Sequence, residues 1–240
     1  MHATKLLHNV LEKSSAVKHR VRLNSILNAV KSLFRGGKLS LTSIGRHMDG
    51  TAKVKNKIKS AYYLLSNGKF YGERLDIYRA LSQQLLGGLK EVDVLVDWSP
   101  CIHHDNQILK VSVVLHGRSM TLYEEVHPEK KLGNYSVHKL FMQRLQSIIP
   151  KTCKVTIITD AGFRTEWFSL VKEMGWDFIG RIRSNMKFKI VGEEEWKSCL
   201  LEYGFATNKP TYRGEVLLSK ENKLRCFMYL YKNLREIRLY

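Results

Sequence analysis

Apolar residues recur at helical spacing through residues 1–90 and at strand spacing after them. Ile26, Leu27, Val30, Leu33 and Phe34 define one side of a helix that Gly36-Gly37 ends. Leu41, Ile44 and Met48 predict a short second helix, with Ser40 or Thr42 as its N-cap. Beyond the turn at Asp49-Gly50-Thr51 a longer helix runs to about Asn67-Gly68, and Val54, Ile58, Ala61, Tyr62 and Leu65 are its predicted inward positions. A further helix spans roughly Tyr71 to Leu86, with Leu75, Tyr78 and Leu85 inward, and Gly87-Gly88 marks a domain boundary.

The period then changes. Residues 92–99 (VDVLVDWS) predict a strand, and 108–117 with 118–127 predict a hairpin turning near Gly117. Val137, Leu140, Phe141, Leu145 and Ile148 mark a helix closed by Pro150; 154–160, 165–175 and 176–183 follow as strand, helix and strand. Three strands, helix, strand, helix, strand is the order of a mixed sheet flanked by helices, an α/β fold. Residues 188–192 and 224–231 read as further strands.

Charge sharpens this picture. The chain carries 40 Lys and Arg against 22 Asp and Glu, a formal charge of +18. Residues 1–90 hold 17 basic and 4 acidic side chains (+13), whereas residues 91–240 hold 23 and 18 (+5). Neutralising phosphates releases condensed counterions, so a surplus of this kind points to nucleic acid ahead of anionic lipid or ribosome association. Lys53 and Lys57 flank one side of the predicted basic helix, and Lys55 and Lys59 the other; with the short helix and turn before it, the segment resembles a helix-turn-helix. No stretch reaches the roughly 18 apolar residues of a membrane span, and the first residues lack a signal-peptide core, which predicts a cytoplasmic address without membrane partners. The four cysteines form no C-x-x-C pair, so a zinc ribbon is excluded, and Cys101 with His103 and His104 is a weak metal pattern.

Two aspartates carry the candidate chemistry. Asp97 follows Val94-Leu95-Val96 and Asp160 follows Ile157-Ile158-Thr159, so each is predicted to end an apolar strand, 63 residues apart in sequence. Open α/β sheets expose their sites at the carboxyl ends of core strands, and two neighbouring strands bring both acids to one edge. Carboxylates that close repel unless a cation lies between them, and a hard divalent ion, Mg2+ or alternatively Mn2+, is the usual remedy. Such ions serve in-line attack at phosphorus. Asp93 shares the predicted face of Asp97, but position favours Asp97. Arg181 and Arg183 alternate onto one face of the strand at 176–183 and are candidate phosphate contacts.

The segments VLVDWS (94–99), LHGRSMTLYEE (115–125), TDAGFR (159–164) and GWDFIGRIR (175–183) resemble, in order and spacing, DDE transposases of bacterial insertion sequences. The similarity is greatest to the insertion-sequence-four family and its insertion-sequence-ten branch. Residues 22–48 and 64–81 resemble the DNA-binding region of the same proteins, so the likeness covers essentially the whole chain. It implies a ribonuclease-H-like mixed sheet core over 89–240, preceded by an all-helical DNA-binding domain over 1–88. It further implies Mg2+-dependent cleavage and strand transfer at transposon ends, with Asp97 and Asp160 as the first two members of the acidic triad and as metal ligands. The implied partners are double-stranded DNA of transposon ends and target, and other transposase copies in homo-oligomers or mixed oligomers. The implied location is the cytoplasm, on the nucleoid when DNA is bound.

One part of the family pattern is missing. The third carboxylate is a glutamate in Tyr-x2-Arg-x3-Glu-x6-Lys. Tyr231, Arg235 and Glu236 have the wrong spacing, Glu215 and Glu221 lack the flanking residues, and Glu193-Glu194-Glu195 reads as a solvated turn. The expectation is a core incomplete at its carboxyl end and impaired in catalysis. The alternative is a non-catalytic DNA-binding fragment that occupies transposon ends or represses intact transposase.

Overall fold

The computed structural model describes residues 2–36, 38–101 and 105–232. His103, His104, Arg235 and Glu236 therefore lie outside the described residues. The chain divides into two compact units, residues 1–90 with 144–153, and residues 91–143 with 154–240.

The first unit contains α1 (His2–Lys13), α2 (Arg20–Gly36), α3 (Leu41–His47), α4 (Val54–Leu65), α5 (Gly68–Gly72) and α6 (Arg74–Leu86). Ser40 is the N-cap of α3, its Oγ accepting from the Ser43 N–H at 3.2 Å. One core gathers Leu11, Leu23, Leu27, Leu64 and Ala80, and a second gathers Ile44, Met48 and Ala61. Helices α3 and α4 touch backbone to backbone: a Cβ on Gly45 would lie 2.4 Å from Ile58 Cα, so only glycine fits the contact.

Three expectations for these helices need correction. The buried line of α4 runs through Ala61 and Leu64, with Ile58 half-buried, whereas Val54, Tyr62 and Leu65 are exposed. Phe34 of α2 is exposed as well. The helix expected from Tyr71 is broken, since α5 ends at Gly72 and α6 starts at Arg74. Glu73 between them is only 5% exposed; Arg22 grips its carboxylate through Nε at 2.7 Å and Nη2 at 2.5 Å, and the Lys18 N–H donates at 3.0 Å. The hydrogen bonds from Arg22 hold the Glu73 carboxyl below its ordinary pKa against the opposing effect of burial.

The second unit begins with β1 (Glu91–Pro100), β2 (Asn106–Leu115) and β3 (Arg118–Pro128), then α7 (Tyr135–Ile148), whose last turn groups with the first unit. Next come β4 (Lys154–Thr159), α8 (Thr165–Glu173) and β5 (Asp177–Gly180). The β2–β3 hairpin turns at His116-Gly117, with Gly117 at φ 73°, where the left-handed conformation favours glycine. The sheet order is β3-β2-β1-β4-β5, antiparallel between the first three strands and parallel across β1, β4 and β5. This is the mixed sheet of the ribonuclease-H-like fold. Val92, Val94 and Val96 alternate onto its covered face with Leu109, Val111, Val155 and Ile157, where Phe141, Trp167 and Phe168 are also buried.

The remaining strands form a separate antiparallel sheet that the hydrophobic pattern does not distinguish from the first. It comprises β6 (Lys187–Ile190), β7 (Lys197–Ser198), β8 (Thr211–Leu218) and β9 (Leu224–Leu230), in the order β7-β6-β8-β9, with α9 (Cys199–Tyr203) between β7 and β8. Phe188, Val216, Leu218, Leu224 and Met228 are its buried side chains. Burial pushes the thiols of Cys199 and Cys226 up to about 11, so both stay protonated.

Candidate active site

The strand register determines where the two aspartates meet. Strands β1 and β4 run parallel, and their last paired residues are Val96 and Thr159. Asp97 comes one residue later on β1, and Asp160 is the first residue after β4; the two strands themselves lie about 4.8 Å apart. Val96 and Thr159 are buried; alternation along β1 turns Asp97 to the opposite, open face, and Asp160, just past β4, is exposed as well. Asp97 does not end its strand as expected, because β1 continues beside β2 to Pro100. It stands instead where β1 loses its β4 partner, which opens the edge of the sheet beside it.

Local bonds orient both carboxylates. Asp97 Oδ2 accepts from the Ser99 hydroxyl at 3.2 Å. Asp160 Oδ1 accepts from the Gly162 N–H at 2.8 Å, and a Cβ on Gly162 would crowd that oxygen to 2.9 Å. Each acid thus has one oxygen tied to its own segment. The row below is apolar, with Leu95 paired to Ile158 and Ile158 to Ile179, and Leu95 and Ile179 are exposed. Beside Asp97 in the register stands Lys110, which is itself paired with Glu124. Asp93 is also exposed, but lies within the β1–β4 pairing, opposite Thr156, rather than at its end.

The two arginines differ from their expected placement. Strand β5 stops at Gly180, so neither Arg181 nor Arg183 is on it. A Cβ on Gly180 would strike Phe168 Cζ at 2.2 Å, and the chain leaves the sheet one residue later. Arg183 donates through Nε to the Ala161 carbonyl at 2.6 Å and through Nη2 to the Gly162 carbonyl at 3.2 Å. It therefore straps the loop that carries Asp160. Arg181, whose N–H donates to the Thr159 carbonyl at 3.3 Å, is exposed.

In the first unit, Lys53, Lys55 and Lys59 are exposed and Lys57 is half-buried. Lys53 is the N-cap residue of α4. Lys59 Nζ lies 5.5 Å from the centre of the Tyr63 ring, and Tyr62 and Tyr63 lie 5.8 Å apart on the same exposed surface. Lys57 adds its charge to Arg35 and Lys31 around Asp49, whose carboxyl is held low chiefly by the hydrogen bond from Arg35. The helix thus presents an outward face of lysine and tyrosine, with Lys57 turned partly away from it.

A family model for the transposase DDE domain matches residues 94–232. The chain belongs to the transposase DDE domain family. No curated protein and no solved structure matches it. The DDE domain covers both aspartates and both sheets of the second unit, and it establishes transposase chemistry on DNA in general, with use of divalent metal ions. Among the described residues no helix is long and apolar enough to cross a membrane.

The donor set can be tested against such an ion. Among the described residues no group of three or more His, Cys, Asp or Glu is placed to hold a metal. Asp97 and Asp160 nevertheless fit one: both are hard oxygen donors, exposed one residue past the last β1–β4 pair, and each keeps one oxygen outside its local hydrogen bond. Mg2+ commonly takes one or two carboxylates and completes its shell with water and substrate phosphate.

The sequence pattern did not single out the groups behind the acids. Tyr123, Glu125 and His127 alternate along β3 onto the covered face; the Tyr123 hydroxyl donates to Glu125, and His127 Nε2 lies 2.9 Å from Glu125 Oε2. The signal that identifies them is three polar residues at period two, in phase with the buried Leu109 and Val111 of β2.

Proposed function

We propose that this chain is an insertion-sequence transposase of the insertion-sequence-four branch, in which residues 1–88 bind DNA and residues 89–240 form the catalytic core. Asp97 and Asp160 hold Mg2+, or Mn2+ in its place. The observation that carries this reading is their position, each one residue past the last pair of the neighbouring parallel strands β1 and β4, within a segment that matches the DDE domain. Held by Asp97 and Asp160, a divalent ion would supply charge neutralisation at the scissile phosphate and activation of the attacking oxygen. The protein's own part is to fix the two carboxylates: Ser99 and Gly162 orient them, and Arg183 holds the Asp160 loop. Arg181 is free to approach a phosphate.

Two acids supply less than the family's three, so the 240-residue chain by itself is proposed to bind transposon ends while cutting them weakly. The +13 charge of residues 1–90 and the Lys-Tyr face of α4 favour the second reading as well, occupation of ends as a repressor or in mixed oligomers. Cytoplasmic, nucleoid-associated action follows from either.

Gel-shift titration over a range of salt tests the DNA-binding part. Changing Lys53, Lys55 and Lys59 to Ala is expected to lower the slope of log K against log salt by about 0.9 for each phosphate that is no longer neutralised. Lys57→Ala is expected to change it least. An unchanged slope in the triple variant would move the DNA surface elsewhere. Equal affinity for end-bearing and scrambled duplexes would reduce the activity to general polyanion binding. The same duplexes are expected to stay largely uncut with Mg2+ or Mn2+, and vigorous strand transfer by this chain would contradict the impaired reading.

A further inference from the structure

Behind the acid pair, on the covered face of the first sheet, one imidazole touches both acid-bearing segments. His138 on α7 is 5% exposed. The Trp98 indole N–H donates to its Nε2 at 3.1 Å, and because an indole nitrogen only donates, Nε2 is the unprotonated nitrogen of the ring. The opposite contact is with Phe163: the two rings stack with centroids 5.5 Å apart and an interplanar angle of 29°. Trp167 meets the imidazole edge-on at 4.9 Å. Trp98 directly follows Asp97, and Phe163 comes three residues after Asp160.

We propose that His138 is a positioning residue, which holds Asp97 and Asp160 at the separation needed to share a divalent ion by fixing Trp98 through a hydrogen bond and Phe163 through stacking. This rests on the reading of the two aspartates as metal ligands. A purely apolar side chain at 138 would supply the stacking but not the acceptor. The surroundings keep the acceptor available. Burial, aided by the charge of His127, pushes the His138 pKa down to about 4, so the ring is neutral wherever the protein works near neutrality. His127 is itself bonded to Glu125 and lies edge-on to Trp98 at 5.8 Å, which closes the cluster on the β3 side.

Three substitutions separate positioning from packing. His138→Phe keeps a ring against Phe163 and removes the acceptor; His138→Gln offers an amide oxygen to the indole; Trp98→Phe removes the donor. Mn2+ titration followed by electron paramagnetic resonance reads the acid pair, and hydrogen exchange of the Trp98 indole proton reads the bond. His138→Phe and Trp98→Phe are expected to weaken Mn2+ binding about ten-fold, the size of an outer-shell effect, while His138→Gln stays within about three-fold of the parent. In His138→Phe the indole proton is expected to exchange faster while thermal unfolding remains cooperative.

Parent-like Mn2+ affinity in His138→Phe would overturn the proposal. So would equal losses in His138→Phe and His138→Gln, which would make the role one of packing alone. Asp97→Asn distinguishes these results from failure of the underlying site. If that variant also binds Mn2+ as the parent does, the ion sits elsewhere and the metal reading falls together with the inference. If His138→Phe does not fold, Trp98→Phe and His138→Gln decide the question.

Discussion

Asp97→Asn is expected to abolish stabilisation of the second unit by Mn2+. An ion bound only to the folded chain adds about 2.7 kcal/mol when its concentration is about a hundred times its dissociation constant. For a chain of this size that corresponds to a rise of roughly 5–10 °C in Tm, at about 2–4 °C per kcal/mol. Asp97 is exposed, so losing its charge removes a ligand without opening a cavity. It also relieves repulsion between two neighbouring carboxylates, so the variant without metal is expected to be no less stable than the parent. Asp160→Asn should behave alike, because its backbone partner Gly162 can still donate to an amide oxygen. Thermal unfolding with and without Mn2+ checks both, and a metal-induced rise that survives in the two variants would contradict the assignment.

The second large effect belongs to the helical unit. Glu73 closes the junction between α5 and α6 by accepting from Arg22 and from the Lys18 N–H, and it is almost fully buried. Glu73→Ala leaves a cation facing a void, and removal of one partner from such a pair costs about 3 kcal/mol. The pH dependence has a definite sign. The folded-state pKa of Glu73 lies below its unfolded value, so its stabilisation is complete above the unfolded pKa, near about 4.3, and is lost as pH falls through the folded value. Urea unfolding between neutral pH and about pH 3 is expected to show stability falling in the parent. Glu73→Gln is expected to be less stable at neutral pH and flatter across the acid range. Parallel pH curves for the two chains would remove Glu73 from the account.

The succession of strands and helices along the chain and the hairpin are legible in the sequence because period-two alternation and the turn at Gly117 are local signals. The inward face of α4 was misplaced for a different reason. Hydrophobicity gives weight to Val54, Tyr62 and Leu65, whereas α3 meets α4 at Ile58, through the close approach of Gly45, and at Ala61, which packs with Ile44 and Met48; Val54, Tyr62 and Leu65 lie off that contact and are exposed. Nothing local distinguishes strands of the first sheet from those of the second, since both bury Val and Leu at the same period. At the site, apolar runs that end in a carboxylate single out the two aspartates as candidates. The sequence offers Arg183 only as a candidate phosphate contact, because its bonds to the carbonyls of Ala161 and Gly162 depend on where β5 stops. The buried His138 was not identified, because helix α7 presents it among apolar residues and its partner Trp98 is 40 residues distant in sequence.

Radical cleavage tests whether one divalent ion binds between Asp97 and Asp160, as proposed. Fe2+ can replace Mg2+ at oxygen ligands, and with ascorbate and peroxide it releases radicals that cut the backbone nearest the ion. Two cuts are expected in the folded chain, one close to Asp97 and one close to Asp160, both suppressed together by excess Mg2+ and both absent in Asp97→Asn. Cuts beside only one of the two aspartates, or at a place that Asp97→Asn leaves unchanged, would contradict the proposal.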